Sequence, residues 1–324
     1  MNRNLQLNIK SYIKGLMLLG IIFTFAACQD KDEFTPDPIT GDVEDFYEDA
    51  QGAFATETFD VTTDYVYITN NNTSIHIPAN SLTNSDGSVA TGMATITFED
   101  VLNKGELVIH NLPTMSDGEL LSSEGAFFFS FTQDENELSI APGTLLTVRI
   151  TDPQAEAGVQ LYGGFDYDIN EDWSLSSQTM SLETWSFFWD GKDWDGSGYE
   201  LYVSETGWYN VSKLIDPAMS ASEQICIQLP VELFDGNNSD VFLILDDYDT
   251  VIPLEMDSGK MLFCASFSNM PEGTEATIVS ISSLGETNYY YGTSHAIISV
   301  DTEQITIVPE SKTKEQILDL LGMF

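Results

Sequence analysis

The run Gly125-Ala-Phe-Phe-Phe-Ser-Phe131 is one of six short apolar or β-branched runs in the first half of this chain. Aromatic and β-branched residues favour strands. Turn sequences such as Ser85-Asp86-Gly87 and Pro142-Gly143 separate the runs. Many short strands at this spacing predict an antiparallel sandwich or barrel. The other five runs are Tyr65–Thr69, Ser74–Pro78, Met93–Phe98, Leu107–His110 and Leu145–Ile150.

The second half repeats this pattern of short strand-like runs and turns. It follows a looser region, residues 154–200, that is rich in Trp, Gly, Ser and acidic residues. Further strands are predicted from Gly198 onward. The chain ends with one predicted helix, since Thr313 and Gln316 fit a capping box. The further strand predictions are Gly198–Val203, Gly207–Val211, Ile225–Leu229, Val241–Leu245, Met261–Phe267, Ala276–Ile281, Tyr289–Tyr291, Ala296–Val300 and Gln304–Val308.

These patterns predict an all-β fold with two antiparallel β-sandwich-like domains and a short C-terminal helix. We expect the first domain over residues 55–153 and the second over 154–324. Residues 28–54 are predicted to form an acidic, extended tether, because charge repulsion and proline extend a chain. Residues 1–27 have a different chemistry.

The first 27 residues have the composition of a secretory signal peptide. Arg3, Lys10 and Lys14 are basic, and no acidic residue falls in this segment. The uncharged run over 15–27 is shorter than the roughly 20 residues that a helix needs to cross a membrane. The segment therefore predicts export followed by cleavage.

The sequence Ala26-Ala27-Cys28 resembles the lipobox of bacterial lipoproteins. In that family the cysteine thiol receives a diacylglyceryl group, and signal peptidase II cuts before it. Phe25 departs from the pattern, since the family usually has Leu or another aliphatic residue there. The resemblance implies that Cys28 is lipidated. Two or three acyl chains anchor a protein stably, whereas one chain gives marginal binding.

The residues after the cysteine, Gln29–Phe34, resemble the acidic export signal of Bacteroidota surface lipoproteins. This resemblance implies a lipid-anchored protein of the outer membrane that is displayed on the cell surface. A solvated acidic linker on a lipoprotein that faces the periplasm is the alternative interpretation.

Further segments resemble the N-terminal β-sandwich of many Bacteroidota lipoproteins and are similar, more distantly, to ZU5-type domains. They are Ile75–Leu82, Asp86-Gly87 and Thr95–Phe98. Gly207–Ser212 resembles a Gly-Trp-x-Asn segment of the same lipoproteins. Because these motifs are turns and strands, the resemblance implies a fold and leaves the activity open.

Acidic residues dominate the composition, with 52 Asp and Glu against 11 Lys and Arg and a formal net charge of −41. Loss of residues 1–27 removes three basic residues and no acidic one, which gives −44. Such a surface repels phosphates, so we expect no nucleic-acid partner. It also repels anionic head groups, so membrane attachment must come from the lipid anchor. Divalent cations would be attracted.

Cys226 and Cys264 lie in separate strand patterns. An exported location permits a disulfide between them. Two buried thiols that behave as small hydrophobic groups are the alternative, and the sequence slightly favours it.

The segment around residue 195 contains the clearest candidate sites. Asp193, Asp195 and Ser197 fall at positions 1, 3 and 5 of an EF-hand-like loop, which suggests calcium as the one candidate cofactor. The loop is incomplete, because its twelfth position is Ser204 instead of Glu. A turn between two strands is the alternative.

Tryptophans surround the same segment. Trp185, Trp189 and Trp194 could stack on the sugar rings of a glycan ligand, whereas packing between the two domains is the alternative interpretation.

No catalytic residue is assigned, since H-E-x-x-H, paired C-x-x-C, G-x-S-x-G and P-loop signatures do not occur. His76 and His110 lie in strand patterns and are interpreted as structural. Acidic residues are too numerous to single out a glycosidase pair. We therefore expect a non-enzymatic binding, adhesion or structural protein with an extracellular protein or glycan ligand. A glycan-binding accessory protein is the first alternative, and a hydrolase is the second.

Overall fold

The computed structural model describes residues 41–165, 172–215, 223–267, 269–271, 273–285, 287–299 and 304–324. The predicted signal peptide, Cys28 and the tether as far as residue 40 lie outside these ranges. Within the described ranges, no helix is long and apolar enough to cross a membrane. Residues 41–324 form one compact unit.

Strands dominate this unit and confirm the predicted all-β class. The strands of the first half are β1 (Ala55–Asp60), β2 (Tyr65–Ile68), β3 (Ser74–Ile77), β4 (Leu82–Thr83), β5 (Met93–Val101), β6 (Met115–Ser116), β7 (Glu119–Gln133), β8 (Asn136–Ile140), β9 (Leu146–Thr151), β10 (Gln160–Phe165) and β11 (Ser174–Leu175). Those of the second half are β12 (Thr179–Trp189), β13 (Lys192–Val203), β14 (Gly207–Leu214), β15 (Glu223–Gln228), β16 (Ser239–Leu245), β17 (Val251–Asp257), β18 (Leu262–Phe267), β19 (Thr274–Ser283), β20 (Tyr289–Ile298), β21 (Ile305–Thr306) and β22 (Glu310–Lys312). The helices are α1 (Glu44–Gln51), α2 (Lys104–Ile109) and α3 (Lys314–Leu321).

The strands form three sheets. The first has nine strands, with the order β1-β5-β7-β14-β10-β11, while β6 and β8 also pair with β7 and β4 pairs with β8. The second has five strands in the order β12-β13-β9-β3-β2. The third has eight strands in the order β21-β15-β18-β17-β16-β19-β20-β22. The named strands pair antiparallel except β15 and β21, which are parallel.

Strand β7 shows how the layers are built. Phe127, Phe129 and Phe131 point into a core that the nine-stranded sheet shares with the five-stranded sheet. Ala126 and Phe128 point the other way, into a core shared with the helices and the eight-stranded sheet. The apolar run is continuous because this strand is buried on both faces. The nine-stranded sheet is therefore a middle layer.

The eight-stranded sheet has a third core on its other side. Ile225 and Ile227 of β15 pack there together with Leu243 of β16 and Ile278 of β19. Cys226 and Cys264 face each other across β15 and β18, with their Cα atoms 4.2 Å apart, and form a disulfide. The sequence slightly favoured two free thiols, because the strand register that brings the cysteines together has no local sequence signal.

The division between sheets does not follow the predicted domain boundary. Strand β13 pairs with β9, and β14 pairs with β7, so residues on both sides of 153/154 belong to the same two sheets. The change comes after β14 instead, since β1 to β14 form the nine- and five-stranded sheets and β15 to β22 form the eight-stranded sheet. Long-range pairing of this kind cannot be read from the composition change near Pro153.

Part of the predicted extended tether is a helix. Phe46 and Tyr47 of α1 are almost fully buried in the core beside the eight-stranded sheet. The ring of Phe46 lies 5.3 Å from that of Tyr289. Burial of two large aromatic side chains stabilises this helix despite its acidic composition.

The run Leu107–His110, predicted as a strand, instead contributes to helix α2. The Asn103 side chain accepts a hydrogen bond from the Glu106 amide at 2.9 Å, and Glu106 in turn accepts one from the Leu102 amide. This reciprocal capping begins a helix that the apolar pattern alone did not reveal. Gly105 lets α2 touch the end of α3, since a Cβ there would lie 2.0 Å from the Leu321 carbonyl oxygen.

The C-terminal helix α3 begins as predicted. The Thr313 side chain accepts from the Gln316 amide, and the Gln316 side chain accepts from the Thr313 amide. Ile317 and Leu321 are fully buried in the core between the nine- and eight-stranded sheets.

Candidate functional site

The predicted calcium and tryptophan residues all lie on one β-hairpin, formed by β12 and β13. Its two strands pair continuously from Thr179 and Tyr202 to Trp189 and Lys192. Asp190 and Gly191 make the turn with φ values of 48° and 76°, which is the backbone that a two-residue hairpin turn requires. Within the looser region predicted over residues 154–200, residues 179–202 are therefore a regular hairpin.

The predicted calcium loop is not formed. Asp193, Asp195 and Ser197 follow one another on β13, opposite Phe188, Ser186 and Thr184 of β12. Alternate residues of a strand stand roughly 6.6 Å apart along one face, whereas an EF-hand loop curls its ligands around a single point. The tight hairpin turn is complete at residues 190–191, so Asp193 already lies on the extended strand β13.

The opposite face of the hairpin is aromatic. Trp185, Trp189 and Trp194 all lie there and are half-buried, so the structure does bring these three predicted residues together. They are on a hairpin at the side of the five-stranded sheet and do not fill a core between two domains.

Each tryptophan has an intramolecular partner. Trp185 covers Gly196, where a Cβ would come within 2.6 Å of the indole nitrogen. The Trp189 ring meets Tyr65 edge-on at 5.6 Å. The Lys192 ammonium lies 3.9 Å above the centre of the Trp194 ring, a cation–π contact. These contacts hold the rings in place, and each ring keeps part of its surface open to solvent.

A cavity of about 700 Å³ forms a second candidate site. It lies between the segment from Asn111 to Gly118 and the strands β15 to β18. Four carboxylates contribute to its wall. The acidic lining residues are Asp172, Asp240, Glu255 and Asp257.

Asp240 is a half-buried carboxylate of this cavity. Its burial raises its pKa to about 6, and the negative charges of Glu44 and Asp42 add to the rise. The buried Tyr47 side chain lies beside it, and burial holds the pKa of the Tyr47 hydroxyl well above its usual range. The cavity therefore carries a carboxyl group whose charge changes in mildly acidic solution.

The substitution Asp240→Asn is expected to stabilise the protein at neutral pH. Because the folded-state pKa is raised above its unfolded value near 4, the folded chain holds a proton between about pH 4 and 6 that the unfolded chain has lost. This group's contribution to stability therefore falls as the pH rises through that window, by at most about 3 kcal/mol. The amide does not ionise, so the advantage of the variant should grow from pH 4.5 to 7.

Thermal unfolding at both pH values measures this difference. Asp247→Asn, which changes an exposed acid, is the matched control and should show no such growth. An Asp240→Asn difference that stays constant with pH would contradict the assignment.

His110 occupies a different layer from His76, so the structure does not bring the two together. His110 is buried near Phe54 and Trp208, and this burial lowers its pKa to about 4. Its Nε2 atom lies 3.8 Å from Glu99, whose pKa burial and nearby acids raise to about 7. His110 is thus neutral at physiological pH and serves the packing of the middle layer.

Two arrangements escaped the sequence analysis. One is Asp240 beside Tyr47, and the other is an exposed group formed by Asp246, Glu275 and His295. In each case residues far apart in the chain meet through strand register and packing. Only a correct prediction of strand pairing, and of the packing of helix α1, could have found them.

The chain matches no protein-family model, no curated protein and no solved structure. The likenesses to Bacteroidota lipoproteins and ZU5-type domains stay predictions that rest on the residues quoted for them.

Proposed function

We propose that this chain is a lipid-anchored outer-membrane protein that faces the outside of the cell and binds a ligand without transforming it. The observation that carries this proposal is Cys28, which directly follows Ala26-Ala27 at the end of a basic and then apolar segment. Acylation of its thiol would supply the anchor that the acidic surface cannot.

The disulfide between Cys226 and Cys264 supports an exported location. Disulfides persist in oxidising compartments outside the cytoplasm and are rare inside it. The strong acidity adds support, because a highly charged surface keeps a displayed protein soluble and unattached to anionic lipids.

Substitution of Cys28 by Ala is expected to abolish lipid attachment. Cells that express the full chain are labelled with a radioactive fatty acid, and wild type is compared with Cys28→Ala. We expect label on the wild type alone, and we expect the variant to leave the membrane fraction. Equal labelling of the two proteins would refute the anchor. Protease treatment of intact cells then separates surface display from a periplasm-facing position, since only a displayed chain is cut.

A glycan is the ligand class that the β12–β13 hairpin favours. Its aromatic face presents Trp185, Trp189 and Trp194 together, and indole rings stack on the apolar faces of sugars. The contacts with Gly196 and Lys192 hold two of these rings in fixed positions, which lowers the entropy lost on binding.

Titration with a broad panel of oligosaccharides, followed by tryptophan fluorescence, tests this assignment. For a glycan that binds, Trp194→Ala is expected to weaken affinity about tenfold, or about 1.4 kcal/mol. Phe188→Ala removes an aromatic ring from the opposite face of the same hairpin and is the matched control. No fluorescence response across the panel would remove glycan binding and leave the anchored protein with another ligand.

A further inference from the structure

Three neighbouring strands of the eight-stranded sheet bring an unusual group of side chains to the surface. Asp246 follows the end of β16, Glu275 lies near the start of β19, and His295 lies on β20 opposite Thr277. One carboxylate oxygen from each acid and one histidine nitrogen all lie within 4.8 Å of one another. Among the described residues, no other group of three His, Cys, Asp or Glu side chains converges in this way.

The histidine is oriented by the backbone. Its Nδ1 atom lies 2.9 Å from the Ala276 carbonyl oxygen, which can only accept a hydrogen bond. The Nδ1 atom therefore carries the proton, and the Nε2 atom faces Asp246 Oδ2 at 3.2 Å. In a neutral imidazole this places a nitrogen lone pair against a carboxylate. A cation held between the two atoms removes that repulsion, and a metal-binding histidine is held in this same way by a partner at its other nitrogen.

The carboxylate is oriented as well. The Thr277 hydroxyl lies 3.3 Å from Asp246 Oδ1, to which it donates, and this leaves Oδ2 turned toward His295. The Asp246 amide donates to the Glu275 carbonyl oxygen at 2.9 Å, which ties the two acidic residues together. The buried Lys104 ammonium donates to the Leu245 carbonyl oxygen at 2.8 Å and so stabilises the turn that follows β16. Two of the ligands thus stand on paired strands, and the third directly follows one.

From this geometry we infer that Asp246, Glu275 and His295 form a binding site for a divalent first-row transition metal ion, with Zn²⁺ as its representative. One imidazole with two carboxylates is a donor set for such an ion, whereas Ca²⁺ and Mg²⁺ prefer oxygen ligands alone. Tetrahedral ligands at about 2.0–2.1 Å from zinc stand roughly 3.4 Å apart, close to the separation of the histidine and aspartate atoms. The two carboxylates balance the charge of the ion.

The site is open to solvent, since the His295 side chain is 58% exposed. Water or a donor group from a ligand or neighbouring protein would complete the coordination. The ion would also link the neighbouring ends of β16, β19 and β20, three adjacent strands of the sheet. This inference goes beyond the proposed function and does not depend on it.

Calorimetric titration of the full chain in detergent, after treatment with a chelator, tests the site with Zn²⁺ alone. We expect one tight site per chain. His295→Gln and Glu275→Gln should each weaken that site at least tenfold. Asp247→Asn removes the charge of a neighbouring exposed acid, the same change in charge as in Glu275→Gln. It should leave the affinity within about twofold. Circular dichroism of the metal-free variants checks that each one folds.

Three outcomes would overturn the inference. Zn²⁺ affinity of His295→Gln equal to that of the wild type would exclude the histidine as a ligand. An equal loss in Asp247→Asn and Glu275→Gln would show diffuse attraction to an acidic surface. Calcium competing with Zn²⁺ at equal concentration would show a site without nitrogen selectivity. A visible absorption band of bound Co²⁺ that His295→Gln abolishes would support the inference.

Discussion

Replacement of Phe129 by Ala is expected to lower the free energy of unfolding by about 3–5 kcal/mol, the range for a fully buried phenylalanine. Phe129 is completely buried on the middle strand β7, in the core between the nine- and five-stranded sheets. Its ring packs 5.7 Å from Phe131 and stacks 6.0 Å from Tyr209. Neighbours on several strands cannot collapse into the space, so the substitution leaves a cavity.

Thermal unfolding measures this loss as a fall of roughly 10 °C in the melting temperature. Phe188→Ala is the matched control, because it makes the same chemical change at a side chain that is 69% exposed. We expect the control to change stability by about 0.5 kcal/mol or less. Similar melting temperatures for the two variants would contradict the layered arrangement around β7.

The second large effect concerns the disulfide of the eight-stranded sheet. The double substitution Cys226→Ala with Cys264→Ala is expected to destabilise the chain by about 2–4 kcal/mol, because the bond closes a loop between cysteines 38 residues apart. The bond links β15 to β18 directly, so its loss should loosen this half of the sheet first.

A reducing agent provides the internal control for the disulfide. It should lower the melting temperature of the wild type toward that of the double variant and leave the double variant unchanged. Peptide mapping without reduction should recover Cys226 and Cys264 in one linked pair. Free alkylation of both thiols in the exported protein would contradict the bond.

The features that could be predicted from the sequence depend on residues that lie close together in the chain. The helix α3 was predictable because Thr313 and Gln316 cap each other three residues apart. The all-β class was predictable because alternation and turn residues are local as well. The run Gly125–Phe131 was recognised as a strand, but its burial on both faces depends on layers that other parts of the chain build.

Other features, local and long-range, differ from the prediction. The aromatic hairpin is local, and its turn signal Asp190-Gly191 is present in the sequence, but the frequent Gly and Asp of this segment predict a loose region instead. The prediction of a calcium-binding loop is wrong because Asp190 and Gly191 form a hairpin turn, after which Asp193 lies on a strand. The cluster of Asp246, Glu275 and His295 spans three strands and has no spacing that a sequence motif could capture.

Membrane attachment, as proposed above, depends on Cys28 being the lipid-bearing first residue of an exported chain. Mass spectrometry of the N-terminal peptide of the protein purified from membranes tests it most directly. We expect a peptide that begins at Cys28 and carries the mass of a diacylglyceryl group. A mature chain that begins at another residue, or that begins at Cys28 with an unmodified thiol, would contradict it.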